Sequence, residues 1–447
     1  MIRPAARVSS FCLLALACSD PQPVTPASLS RAELPRAELD RLAAGVTEQV
    51  VAWRRDIHRH PELSNREFRT AELVARELRE LGLEVRTEVA HTGVVGVLRG
   101  AREQPVVALR ADMDALPVSE ETGLPFASEL RTTYLGREVG VMHACGHDAH
   151  TAMLLGAARA LAGVRESIPG TVVFLFQPAE ERPPPGEDGG ARLMVEQGAL
   201  DDPPVDAIFG LHVVPQHPVG TIGWRSGGAM ASSDRMEILV RGRQTHAAYP
   251  WRGVDPIAAA ARIVLQLESI PGREIDARIP TVVSIGAFHG GVRHNIIPDE
   301  VELLGTIRSL DPAARLELHR RVRHTAETVA AASGAEARVD IDVASGYPVT
   351  WNHPQLVRRM LPTLERVAPH VVEAPARTGA EDFAFYQERV PGFYLWLGVR
   401  SPDVPEAEAA ANHSPRFHVD EAALPIGVRV LAHLALDYLA GGGLPAR

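Results

Sequence analysis

The sequence predicts an α/β layered sheet with a smaller α+β sandwich inserted into it. Short apolar strand-like runs alternate with helical runs in the first half of the chain. A Gly/Ser-rich stretch near 223–233 breaks that rhythm, and the order beyond it becomes β-α-β-β-α-β. Alternation of buried strands with helices marks a layered sheet, and the second order marks a small sandwich. At 447 residues the chain is also long for one hydrophobic core.

Element by element, 31–82 reads as helical: apolar residues recur at three and four over 71–81, and Gly82 caps the run. Strands follow at 93–99 and 105–110, then an Ala/Leu helix at 150–164, a buried strand at 171–176, a helix near 191–196 and a strand at 207–213. After the break come a strand at 236–240, a helix at 255–270, strands at 281–288 and 301–308, a helix at 312–333 and a strand at 337–343. From Tyr347 the pattern is helical, closing with a strand at 393–398 and a helix at 424–439. The expected division is a leader and linker over 1–30, a first domain over 31–227 and 343–447, and an insert over 228–342.

Composition narrows function. Hydrophobic residues are 45% and charged residues 23%, ordinary for a globular protein. The net charge of −10 argues against a nucleic-acid partner, which needs a positive surface. The chain contains no lysine, so all 46 basic residues are arginine. Schiff-base and pyridoxal-phosphate chemistry and the lysine-bearing phosphate loop are thereby excluded. At the N-terminus, Arg3 and Arg7 precede an apolar stretch over 11–17 and then Cys18-Ser19-Asp20. This reads as an export signal, and Ala15-Leu16-Ala17-Cys18 as a lipoprotein box that would place the protein in the periplasm or on a membrane through lipidated Cys18. Plain cleavage near Ala17, or a mis-assigned start and a cytoplasmic protein, are the alternatives. No other segment reads as apolar enough to cross a bilayer.

Chemistry concentrates in His143-Ala-Cys145-Gly-His147-Asp148-Ala-His150. Cys12 and Cys18 fall in the leader, so Cys145 is the lone thiol of the mature domain, set among imidazoles; such a cysteine is a ligand or a nucleophile. The buried run at 171–176 leads through Gln177 and Pro178 to Glu180-Glu181, at the carboxyl end of a strand where α/β sheets place their sites. Paired acids there can divide labour, one binding metal and the other moving protons. His212 also stands at a strand end, and His413 in a loop. Asp112 and Asp114 leave a further strand as ligands, orienting acids or helix caps. This donor set exceeds one tetrahedral zinc with an open position. It fits two metals sharing a water, with Cys145 as a bridge and a free glutamate as general base.

Six stretches in order carry a resemblance over 50–439: Arg54-Arg-Asp-Ile-His-Arg-His-Pro-Glu-Leu63, Arg110-Ala-Asp-Met-Asp-Ala-Leu-Pro117, the run from His143 to His150, Gln177-Pro-Ala-Glu-Glu181, Gly210-Leu-His212 and Gly379-Ala-Glu-Asp-Phe383. The chain resembles the metallo-amidohydrolases of the aminoacylase and carboxypeptidase superfamily, in the branch of hippurate hydrolase, N-acyl-amino-acid amidohydrolases and plant auxin-conjugate hydrolases. The resemblance implies a mixed-sheet, dinuclear-metal peptidase-like domain with an inserted dimerisation or lid domain. It implies Cys145, His147, Glu181, His212 and His413 as metal ligands, with Cys145 bridging, and Glu180 as the proton-transferring base. It further implies that His246 stabilises the oxyanion from a neighbouring subunit of a homodimer, that Asn295 and Arg308 hold the substrate α-carboxylate, and that Asp112 and Asp114 orient the ligands.

Two departures stand out. Arg182-Pro-Pro-Pro-Gly-Glu-Asp-Gly-Gly190 is longer and stiffer than the branch's short Gly-rich loop, and Asn412 precedes His413 where a leucine is usual. The implied function is metal-dependent hydrolysis of N-acyl amino acids or amino-acid conjugates, with two divalent ions: manganese or zinc first, nickel or cobalt after. A carboxypeptidase or dipeptidase is the alternative, and a non-catalytic metal-dependent binding protein the third reading.

Overall fold

A computed structural model of the chain describes residue 1 and residues 35–444. The leader, with Cys12 and Cys18, lies outside the described residues. Twelve strands build two sheets: β1 (Glu84–Val89), β2 (Gly93–Arg99), β3 (Val106–Asp112), β4 (Thr171–Gln177), β5 (Ala207–Pro218), β6 (Thr221–Trp224), β7 (Ser233–Arg241), β8 (Thr281–Gly290), β9 (Glu300–Ser309), β10 (Glu336–Tyr347), β11 (His370–Glu373) and β12 (Gly392–Arg400). The large sheet runs β1-β2-β4-β3-β5-β12-β6-β11. Its centre is parallel, β4 with β3, β3 with β5 and β5 with β12, while β1, β2 and β6 introduce antiparallel neighbours. It is a mixed sheet, and every residue of β3 and β4 is buried. That explains their unbroken apolar sequences.

Among the helices that pack on this sheet are α1 (His147–Ala162) and, from the far end of the chain, α4 (Leu424–Ala440). Both are apolar nearly all round because both are nearly enclosed. The stretch Glu421–Ala440 is in fact long and apolar enough to cross a membrane, contrary to the expectation from sequence. Here most of it is buried in the protein, where it forms part of the main core with Val107, Phe209 and Leu395.

The second sheet, β8-β9-β7-β10, is antiparallel throughout. Helices α2 (Pro256–Leu267) and α3 (Pro312–Ala332) cover it around a separate core that includes Met236, Ile238, Ile263, Leu303 and Leu318. Asp255 caps α2 and Asp311 caps α3, each followed by proline at the first helical position. This sheet reaches past 342, because β10 continues to Tyr347. The connections between the bodies are themselves paired: Gly227–Met230 lies antiparallel to Thr350–Asn352. Part of the Gly/Ser-rich stretch is thus a strand, not a break.

Candidate metal centre

The carboxyl ends of β3 and β4 lie side by side, with Asp112 opposite Gln177. The parallel strand β5 passes them and carries His212. Cys145 arrives on a turn closed by Gly146, whose φ of 96° places it in the left-handed region. A side chain there would also meet Val213 Cγ2 at 2.3 Å, so only glycine lets the turn pack against β5 and start α1 at His147. Glu180 and Glu181 follow the end of β4, and His413 comes from a loop whose backbone N–H donates to Ala144 O at 2.8 Å.

The donor atoms of Cys145, His147 and His212 lie within 4.8 Å of one another, and so do those of Cys145, Glu181 and His413. The two groups share the Cys145 thiol. Its Sγ is 3.3 Å from His212 Nε2. Glu181 Oε1 is 2.8 Å from His413 Nε2, yet it has no partner aligned for a hydrogen bond. His147 Nε2 is likewise buried and unpartnered, while its Nδ1 is engaged by Asp114 O at 2.8 Å and Asp114 Oδ1 at 3.1 Å. Buried polar atoms seldom go unsatisfied. Imidazole and carboxylate atoms left bare beside a shared thiol fit divalent cations.

The acids at 112 and 114 hold the others in place. Asp114 accepts the backbone N–H of Glu180 at 3.1 Å and of Glu181 at 3.0 Å, besides the Ser64 hydroxyl at 2.7 Å. Asp112 is taken up by His150 Nδ1 at 2.5 Å and Arg110 Nη1 at 2.6 Å. His150 Nε2 accepts the Val213 N–H at 2.9 Å, so both its nitrogens are used and it has nothing left for a metal. Of the three histidines in the 143–150 run, only His147 presents a bare nitrogen to the donor groups. His143 is buried with neither ring nitrogen partnered, and burial pushes its pKa down to about 3.

Electrostatics follow this crowding. Burial, then the charges of Glu381, Glu181, Asp382 and Asp112, push the Glu180 carboxyl well above its usual range. The Cys145 thiol is raised by burial and by Glu181 and Glu180. His147 is disfavoured as a cation by burial, but Asp112, Asp114 and Glu181 outweigh this and carry it up to about 10. A cluster that holds protons so tightly is short of positive charge, and bound cations invert that balance.

The site opens into a cavity of about 630 Å³. Cys145, Glu180, Glu181, His212, His413 and Arg308 all line it. His246 and Asn295 do not. His246 is exposed on the short strand Thr245–His246, paired with Ile296–Ile297, and Ala247 N–H donates to Asn295 O at 3.1 Å. Within one chain these two stay together on the inserted sandwich, apart from the donors.

Several further residues of the site carried no role in the sequence reading. Arg110 is fully buried and donates to Glu381 at 3.0 Å and Asp382 at 2.9 Å, which gives the cluster Glu180, Glu381 and Asp382 a cation of its own. Tyr347 donates its hydroxyl to Glu180 O at 2.6 Å. Asn412 donates to Cys145 O at 3.1 Å and Val213 O at 3.3 Å, tying the His413 loop to two donor-bearing segments. A leucine could not make that tie, so the unusual residue has a structural reason.

The model of peptidase family M20/M25/M40 matches residues 108–437, most of the chain. The chain belongs to this family. Membership makes it a metal-dependent amidohydrolase, and the matched span includes every donor named above. Among its M20 relatives, N-acetylcysteine deacetylase of Bacillus subtilis (strain 168) is 40% identical over 392 residues, covering 88% of this chain and 97% of that protein. Thermostable carboxypeptidase 1 of Saccharolobus solfataricus is 39% identical over 394 residues, covering 88% and 96%. Among solved M20 structures, Bacillus subtilis YXEP, described as a dinuclear metal binding peptidase, matches with a TM-score of 0.75 and 38% identity over 89% of this chain and 99% of that one.

Proposed function

We propose that this protein hydrolyses the amide bond of N-acyl amino acids or amino-acid conjugates, releasing a carboxylic acid and an amino acid. The observation that carries the reading is the sharing of Cys145 between two donor groups beside the buried Glu180. Cys145, His147 and His212 would hold one divalent ion, and Cys145, Glu181 and His413 the other. Two such ions, manganese or zinc before cobalt or nickel, activate a water and polarise the acyl carbonyl when bound. Glu180 Oε2, 4.0 Å from His147 Nε2, takes the proton of the attacking water and returns it to the departing amine. Arg308 offers its planar fork to the substrate α-carboxylate. Tyr347 and Asp114 keep the backbone of Glu180 still through the transfer.

Glu180→Ala should abolish turnover of an N-acetyl amino acid while metal content, read by atomic emission, stays at the wild-type level. Near-normal turnover would refute the role. Rates on an acetyl-amino acid against a dipeptide separate this reading from a carboxypeptidase. A pure binding protein has no use for a bare carboxylate at that point.

The working unit is a homodimer in which His246 and Asn295 of a second copy complete the cavity. Support comes from the inserted sandwich, which exposes Phe288, Leu265 and Val292, with β8 as an unpaired edge strand. Mixing a Glu180 variant with a His246 variant should restore activity in hybrid dimers, and no rescue despite subunit exchange would count against it. Residues 31–227 with 343–447 act as the catalytic unit and residues 228–342, with the last strand running on to Tyr347, as the dimerising unit. Export and lipidation at Cys18 rest on the leader sequence alone. Mass spectrometry of the N-terminal peptide from membranes tests both.

A further inference from the structure

We infer that the cavity recognises a second carboxylate through Arg377, so that the preferred substrates are N-acyl amino acids bearing two carboxylates, one held by Arg308 and one by Arg377. The inference rests on the hydrolytic reading above and narrows it to a substrate class.

Arg377 lines the same cavity as the donor groups. Its backbone is pinned on both sides: its N–H donates to Ala229 O at 2.9 Å and its carbonyl accepts from Ala231 N–H at 3.0 Å. The guanidinium stacks 5.0 Å from the centre of the Trp396 ring and donates to Gln216 Oε1 at 3.3 Å. These contacts aim a planar fork without neutralising it. Among the described residues no carboxylate forms an ion pair with this guanidinium, and burial, only partly offset by Tyr394, holds its pKa below the ordinary value.

The contrast with Arg110 is informative. There the fold surrounds a buried guanidinium with Asp112, Glu381 and Asp382. A structural arginine is fully compensated, as burial of charge requires. At Arg377 a half-exposed cation on the cavity wall has no such ion pair, and an arriving carboxylate would supply one with two charge-assisted hydrogen bonds. Arg308, half-exposed, spends its Nη1 on Thr378 O at 3.1 Å, with Arg182 adding like charge and Asp234 opposite charge nearby. Arg308 comes from β9 of the inserted sheet, but its hydrogen bond to Thr378 O ties it to the residue next to Arg377, and both arginines line the cavity. Val214, Met230 and Trp396 line the same cavity and give it an apolar surface suited to a short methylene chain.

The second carboxylate can sit at the end of the acyl group or on the amino-acid side chain, and two matched pairs distinguish these. N-succinyl-alanine against N-butanoyl-alanine tests the acyl end; N-acetyl-glutamate against N-acetyl-glutamine tests the side chain. With the metal-loaded wild type, the acid member of one pair should be favoured about tenfold or more in kcat/KM. Arg377→Met should bring that ratio below about threefold, and Arg377→Lys should keep part of it. Calorimetric binding of the same pair to Glu180→Gln protein should show the same preference in Kd. No preference for either acid, or a ratio that survives Arg377→Met, overturns the inference while leaving amide hydrolysis standing. Failure to hydrolyse any of the four compounds overturns both.

Discussion

Asp114→Asn changes one oxygen for an NH2 group at the point where four donors converge. In the wild type Oδ1 accepts from Glu180 N and His147 Nδ1, and Oδ2 from Glu181 N and Ser64 Oγ. Whichever way the amide turns, two accepted bonds are lost and an N–H₂ faces two donors in a buried site. Bonds to a charged acceptor contribute about 1.5–3 kcal/mol each, so the change costs about 3–6 kcal/mol before relaxation. Part falls on the fold: the metal-free variant should unfold in urea about 3 kcal/mol more easily. Part falls on the site, because His147 loses its orienting acceptor and the Glu180–Glu181 loop its clamp; zinc affinity should drop about 10–100-fold, measured by competition with a chromophoric chelator. Burial disfavours the Asp114 carboxylate, but hydrogen bonding to His147 and Ser64 and the charge on His147 lower its pKa overall. Its stabilisation is therefore complete above the unfolded value of about 3.9 and lost as pH falls, so the gap between the two proteins should be flat from pH 6 to 8. A variant that binds both ions like the wild type would refute the reasoning.

Two further outcomes follow from buried acids. Glu67 accepts the N–H groups of Asn65 and Ala179 and the Thr92 hydroxyl, and burial, then the charge of Asp114, push it up to about 8. The folded protein keeps a proton that the unfolded chain releases, so stability falls as pH rises from about 4.3 towards 8. Glu67→Gln should be more stable than wild type at pH 8, by on the order of 2 kcal/mol, and nearly equal to it at pH 4, in urea unfolding. Asp234 pairs with Arg315 Nε at 2.9 Å and Nη2 at 2.6 Å and with His319 at 2.9 Å; burial raises its pKa, but these bonds bring it below the usual range. Asp234→Asn should cost about 3–5 kcal/mol at pH 7, a gap that closes as the wild-type carboxylate is protonated below about pH 4.

What could be read without coordinates divides by physical cause. Strands β3, β4 and β5 are buried on both faces, so composition alone reveals them. Strand β1 is an edge whose residues Glu84 to Glu88 are exposed or half-exposed, and its pairing with β2 leaves no trace in hydropathy. Residue types identified the donors, because thiols, imidazoles and acids at strand ends are few. Choosing among His143, His147 and His150 was beyond spacing, since the choice depends on Asp112 and the Val213 N–H saturating one ring from elsewhere in the chain. The same holds for Asp112 and Asp114, ambiguous in sequence and committed once their donors are known. Arg377 had no signal at all in the sequence: the ring of Trp396 beneath it and the cavity before it are visible only in the structure.

Strand β5 outruns its neighbour. Its pairing with β3 stops at Gly210, two residues before His212, while pairing with β12 continues beyond it. The pocket exists because that flank is vacated at the right step of the pleat. Side chains alternate between faces, so inserting or deleting one residue ahead of 212 would swing the imidazole into the hydrocarbon interior and bring Leu211 or Val213 to the donors. Loops around this centre that carry no donor can change length, but the register of this one strand is closed to single-residue indels.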